Sequence, residues 1–216
     1  MSSPDTSHLA VHLNAPPTTS ALDEETARAE LYGLLAQLYY APPDPALLDA
    51  LRVAVTEAPA SGAFLQDPWQ QLVAVAREMP DGAVAGEYDA LFGGVGKPAV
   101  FLYGSHYLSG FLNEKPLARL RADLHRLGLA AREDMPDTED HIAYLCEVMR
   151  YLIAGDDGGV CHLQSQQTFF AAHLQPWVLQ LCDALLQQPQ ARFYAALARF
   201  TQAFMAVEAQ GFDMLD

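Results

Sequence analysis

Residues 136–155 read PDTEDHIAYLCEVMRYLIAG, the plainest helix in the chain. Ile142, Leu145, Cys146, Met149, Leu152 and Ile153 recur at the spacing of one helix face. Pro136-Asp137-Thr138 is read as the opening of this helix, and Gly155-Asp156-Asp157-Gly158-Gly159 as its end. A stripe this apolar needs other elements to cover it.

The same period recurs on both sides. Upstream, order is expected to begin near Ser20, whose spacing to Asp23 is that of a capping box. Leu31, Leu34, Leu35, Leu38 and Tyr39 then follow helical spacing until Ala41-Pro42-Pro43 stops them. Asp44 is placed to cap a second helix carrying Leu47, Leu48, Leu51 and Val55. Asp67-Pro68 reads as N-cap and first position of a third, with Trp69, Leu72, Val73 and Val75 behind it. Asp81 to Phe92 is a fourth, ending in the loop Gly93-Gly94-Val95-Gly96-Lys97-Pro98. Residues 99–107 are apolar and aromatic, and whether they are extended stays open. Leu117, Leu120, Leu124 and Leu127 mark another helix, with Gly128 as its terminator.

Downstream, one long helix is expected from about Ser165 through Phe170, Leu174, Trp177, Leu181 and Leu185. A last helix carries Phe193, Leu197, Phe200, Phe204 and Val207. No strand alternation and no internal repeat is evident. The expected fold is all-α: a single-domain bundle of eight or nine helices over residues 20–216, after a disordered arm at 1–19.

Composition excludes several classes of function. With 216 residues, 51% of them hydrophobic, one core suffices without staples. The three cysteines, Cys146, Cys161 and Cys182, are widely spaced and include no CxxC pair, which fits a reducing compartment and no structural zinc. The formal net charge of −15 disfavours nucleic acid and anionic membranes as partners and favours a cationic one such as a basic peptide. The N-terminal stretch has no cation and no long apolar run, so it does not read as a secretory signal. No run is apolar over the roughly 18 residues a span requires. A soluble, cytoplasmic protein is the expectation.

The usual catalytic signatures are missing: no GxGxxG after a strand, no P-loop, no HExxH, no GxSxG. The glycine loop at 93–97 lacks P-loop spacing and serves turn geometry more readily than phosphate. Asp140-His141 is the most interesting pair. Its plain reading is a helix-start carboxylate and a histidine at the rim of the buried stripe; its functional reading is a polar anchor at a groove edge. No metal site is expected there, because no second His or Cys follows one turn away. Ser105-His106 and Cys161-His162 have adjacent nucleophile and base but not the spacing that chemistry needs. Tyr88, Leu91 and Phe92 lie on one helix face and read either as core or as a groove for an apolar peptide. Five of the 12 cations fall between Lys115 and Arg132, followed at once by Glu133, Asp134, Asp137, Glu139 and Asp140. These are two solvated helix faces, or an acidic seat for a partner's basic segment.

Four separated segments together resemble the TorD/DmsD family of molybdoenzyme maturation chaperones, with the NarJ type as a more distant relative. Arg28-Ala-Glu-Leu-Tyr-Gly-Leu-Leu-Ala-Gln-Leu-Tyr, with Pro42-Pro43-Asp44, is similar to the family's opening helix and the break after it. Tyr88-Asp-Ala-Leu91-Phe92, the glycine loop and Gly104-Ser105-His106-Tyr107 resemble its YxxLF element, glycine turn and SxY segment. Asp137-Thr-Glu-Asp140-His141 is similar to its EPxDH box, with Asp137 for Glu and Thr138 for Pro. Phe170-Ala-Ala-His173-Leu174-Gln-Pro176-Trp177 resembles its FxxHLxPW helix. Phe101-Leu102-Tyr103 stands where the family commonly has a Pro-Pro pair, which puts the shape of the second loop in question.

The resemblance implies a cytoplasmic all-helical chaperone and no enzyme. It implies binding of the twin-arginine signal peptide, or the apo form, of a molybdopterin oxidoreductase catalytic subunit during cofactor insertion, with export delayed. Carried over residue by residue, it implies Tyr88, Leu91, Phe92, Ser105, Tyr107, Asp140 and His141 as client-binding positions. No resident cofactor or metal is implied, while transient contact with the molybdenum cofactor or a guanine nucleotide stays open. So do monomer or dimer, an assembly chaperone of the NarJ type for a cytoplasm-retained complex, and a nucleotide hydrolase using Asp140 and His141.

Overall fold

The computed structural model describes residues 19–56, 65–93, 96–112, 114–131 and 135–214. Most of the expected arm, the middle of the glycine loop, the side chains of Ser20 and Asp23, and Arg132, Glu133 and Asp134 of the charge cluster lie outside the described residues.

Ten helices follow one another among the described residues: α1 (Thr19–Tyr40), α2 (Pro45–Val53), α3 (Gln66–Glu78), α4 (Asp81–Phe92), α5 (Gly104–Ser109), α6 (Lys115–Arg126), α7 (Ile142–Ala154), α8 (Leu163–His173), α9 (Val178–Leu186) and α10 (Phe193–Asp213). The chain is all-α, and the one backbone bridge among the described residues is the antiparallel pair Tyr103 and His141.

The α7 stripe is buried as its spacing requires, and it packs chiefly on α1 and α8. On its other side α1 is tied to α10 between Arg28 and Tyr39. Tyr39 and Thr201 share a hydroxyl hydrogen bond of 3.0 Å, and the Tyr194 hydroxyl donates to the Leu38 carbonyl at 3.2 Å. Arg28 holds the buried Glu208 carboxylate with two bonds of 2.7 and 2.8 Å, and Tyr32 donates to it at 3.0 Å. Removing either partner of this ion pair leaves an uncompensated charge among apolar groups. α9 and α3 cover the remaining faces of α10. Tyr32, Leu35, Met149, Phe193, Leu197 and Phe200 are all at most 1% exposed, and each such side chain contributes about 1.5–3 kcal/mol through burial.

Local signals set most helix ends. The Asp44 carboxylate accepts the Leu47 N–H at 2.8 Å, as the sequence predicts. Gly128, at φ +71, ends α6 with the paired bonds Leu129 N–H to Leu124 carbonyl and Gly128 N–H to His125 carbonyl. Tertiary contacts overrule other expected ends. α3 begins two residues early, so Asp67 sits inside its first turn and caps nothing. The long helix expected from Ser165 is two, broken at Leu174–Trp177, where Pro176 cannot donate and Trp177 turns inward. Residues 99–107 are neither wholly extended nor wholly helical: Leu102 to Gly104 pair with Asp140 to Ile142, and α5 starts at once. That pairing also delays α7 to Ile142, so Pro136-Asp137-Thr138 does not open it. The N-cap is His141, whose Nδ1 accepts the Ala143 N–H at 3.2 Å.

Candidate functional site

The second, third and fourth motifs meet at α5. A helix of six residues is far too short to persist unaided. Asp140 supports its start: one carboxylate oxygen accepts the Ser105 N–H at 2.8 Å, the other accepts the Thr138 hydroxyl at 2.6 Å, and the Asp140 carbonyl accepts the Gly104 N–H at 2.9 Å. The negative charge therefore does lie at a helix N-terminus, but that of α5 and not of its own α7. A Cβ on Gly104 would come within 3.0 Å of the Trp177 indole, so the motif's glycine lets α5 seat against the Trp177 that precedes α9. Tyr107 stacks on Trp177 with ring centres 5.5 Å apart, and its hydroxyl donates to the Phe101 carbonyl at 2.8 Å. Trp177 in turn donates to the His173 carbonyl at 2.6 Å.

The seven sequence-derived positions divide by depth. Leu91, Ser105, Asp140 and His141 are buried, while Tyr88, Phe92 and Tyr107 are half-buried. Ser105, Tyr107, Asp140 and His141 form one cluster through the 103–141 bridge. Tyr88, Leu91 and Phe92 join it from α4, where the Leu91 carbonyl accepts the Val100 N–H at 3.0 Å. Tyr88 and Phe92 pack edge-to-face with each other and against Tyr194, and the Tyr88 hydroxyl donates to the Tyr40 carbonyl at 2.8 Å.

His141 is 3% exposed, and burial outweighs the nearby Asp137 and Asp140 charges to bring its pKa down to about 4. It is neutral at pH 7, with Nδ1 accepting and the proton on Nε2. Neither Asp140 nor His141 presents a free polar group to solvent as a catalytic pair would. Among the described residues no group of His, Cys, Asp and Glu is arranged to hold a metal, and no helix is long and apolar enough to cross a membrane.

Beside these positions lies a run of rings, exposed at Tyr40, half-buried at Tyr103 and Tyr144 and buried at His141. Tyr40 lies 5.9 Å from Tyr144, Tyr144 lies 5.6 Å from His141, and His141 lies 5.1 Å from Tyr103, centre to centre. The Tyr103 hydroxyl donates to the Asp137 carboxylate. Burial, followed by the Asp137 charge, raises the pKa of Tyr103 above its ordinary value and that of Tyr88 to about 12. Burial and then Tyr40 raise that of Tyr144 to about 12.

Tyr144 also lines a cavity of about 510 Å³ between the end of α6 and α7. Leu124, Leu129, Met135, Val148 and Tyr151 supply its apolar wall. Glu139 and Glu147 line it too, held by Arg121 and Arg150 respectively at 2.8 Å. Cavity and ring run thus share one side chain. The cavity has no sequence signature, because its walls come from two segments whose approach only the packing sets.

A family model described as nitrate reductase delta subunit matches residues 59–183, more than half of the chain and nearly all of this site. The chain is 27% identical over 210 residues to the chaperone protein TorD of Shewanella loihica, covering 90% of this chain and 97% of that protein. It is 26% identical over 127 residues to the chaperone protein TorD of Aliivibrio fischeri, covering 55% of this chain and 59% of that protein. Over 140 residues it is 26% identical to a chaperone protein TorD of Vibrio cholerae, covering 61% and 63% of the two chains.

Proposed function

We propose a function from one premise: the chain belongs to the nitrate reductase delta subunit family. The protein is a system-specific chaperone of molybdoenzyme maturation and not an enzyme, like the Shewanella loihica TorD protein that it resembles over 90% of its length. Its client is the catalytic subunit of a molybdopterin oxidoreductase, met in the cytoplasm before export through the twin-arginine signal peptide.

The observation that carries the peptide reading is the junction of a half-buried aromatic surface with an apolar cavity, in a chain of net charge −15. A twin-arginine signal has a basic start and an apolar middle, and this junction complements both. Tyr88, Phe92 and Tyr107 then meet the client directly. Leu91, Ser105, Asp140 and His141 act from beneath, by fixing α4, α5 and the bridge that shape the surface. A second reading has the family match in its favour: the client is retained in the cytoplasm and recognised by an N-terminal remnant or a folded face.

Purification of the tagged protein from its native host, followed by mass spectrometry, tests the function. A molybdopterin oxidoreductase catalytic subunit enriched in precursor form is the expected companion. A companion with no twin-arginine leader selects the second reading. No such subunit, under conditions where one is expressed, overturns both.

A further inference from the structure

Asp137 differs from the other two carboxylates at the site in being both half-buried and without an ion partner among the described residues. Asp140 is 3% exposed and fully engaged with Ser105 and Thr138, and Glu139 is taken by Arg121. Asp137 is only half-buried; it accepts a tyrosine hydroxyl and forms no ion pair with a cation among the described residues. The Tyr103 hydroxyl touches it, and from that contact the rings of Tyr103, His141, Tyr144 and Tyr40 follow one another at centre-to-centre distances of 5.1, 5.6 and 5.9 Å, near enough for its charge to act on His141 and Tyr144. Tyr40 closes the run as an exposed ring, 46% accessible. The Tyr144 hydroxyl is shielded from solvent and lacks a well-formed hydrogen bond, although Tyr40 and the Asp137 backbone are its neighbours.

A half-buried carboxylate that holds one tyrosine hydroxyl, at the end of a run of rings, suits a planar cation. A guanidinium stacks on tyrosine while its N–H groups reach the carboxylate, and an ammonium is too strongly hydrated and too compact to do both. We propose that Asp137 with Tyr40, Tyr103 and Tyr144 forms an arginine-selective box. It takes a guanidinium of the client's basic segment and sets that segment's register, so that the apolar residues after it enter the α6–α7 cavity through the shared Tyr144. This rests on the peptide reading above but assigns the arginine to residues outside the seven inferred from sequence.

The test uses the full chain with ¹³C-labelled tyrosine rings, titrated by NMR with acetyl-Arg-Arg-amide, and with acetyl-Lys-Lys-amide as the control. The nine tyrosines include Tyr32, Tyr39 and Tyr194, all fully buried, as silent references. The Arg probe is expected to move Tyr40, Tyr103 and Tyr144 saturably, with the Lys probe at least about tenfold weaker. Asp137→Asn, which keeps an acceptor for Tyr103, is expected to abolish the preference. Tyr40→Leu, at a half-exposed position where an apolar side chain still covers Tyr144, gives a second variant and is expected to weaken the Arg probe several-fold. Equal response to both dipeptides, no response, or shifts that persist in both variants overturns the box. A box that fails while the precursor still copurifies leaves the chaperone reading intact; copurification that fails while the box binds removes that reading.

Discussion

Glu87 and Asp140 do the same work at two helices of very different size. Glu87, 7% exposed on α4, reaches the start of α10, where its oxygens accept the N–H groups of Arg192 and Tyr194 at 2.8 Å and of Phe193 at 3.1 Å. Asp140 reaches the start of α5 in the same way. But α10 has 21 residues and a row of buried aromatic side chains, whereas α5 has six residues, of which only Gly104 and Ser105 are buried. The first carboxylate orients a helix that packing would hold in any case. The second is a condition for its helix to exist, and α5 carries a large part of the proposed client surface.

Stability and binding should therefore separate between the two junctions. Glu87→Ala leaves three N–H groups without an acceptor, two of them buried, and is expected to cost about 3 kcal/mol or more in urea unfolding. Client affinity of the folded fraction should be unchanged. Asp140→Ala is expected to cost less, about 1–3 kcal/mol, yet to weaken client binding by about tenfold or more, read by calorimetry on the captured precursor. Equal affinity in the two variants would break the comparison.

Acid should find the α5 junction as well. Burial brings His141 down to about 4 in the folded chain against 6.5 when free. The unfolded chain takes up this proton first, so the stability that depends on a neutral His141 is complete above pH 6.5 and lost as pH falls toward 4. The slope is about 1.4 kcal/mol per pH unit. Thermal unfolding at pH 7 and pH 5 should show this loss, and His141→Asn, which keeps a cap acceptor, should reduce it. Amide exchange at Ser105 should accelerate more than at Phe193 over the same range. The smallest effect belongs to a local cap: Asp44→Ala is expected to cost about 1 kcal/mol in thermal unfolding with client affinity unaltered.

The helix stripes were legible because burial repeats along one face. Ile142, Leu145, Cys146, Met149, Leu152 and Ile153 are all buried. The break between α8 and α9 was hidden for the same reason: Leu174 and Trp177 stay 0% and 1% exposed across it, so the period runs through a kink. The site was legible in part. Motifs around Ser105, Asp140 and Trp177 marked the residues that converge, but not that Asp140 faces inward. Tyr40, Tyr103, Asp137 and Tyr144 belong to three separate stretches, and nothing in the local spacing links them.

Period, caps and composition by themselves determined an acidic, all-helical chain and the main members of its core. These depend on interactions within a turn or two of the backbone, or on the averaged tendency of apolar groups to leave water. Tertiary structure alone decided where α7 begins, that α5 exists, which helix Asp140 serves and that Asp137 stays half-buried without an ion partner among the described residues. Each of these turns on a competition between a local bond and a distant one of similar strength, such as the Gly104 N–H and the Asp140 carbonyl at 2.9 Å, and only the packed chain brings the distant partner within reach.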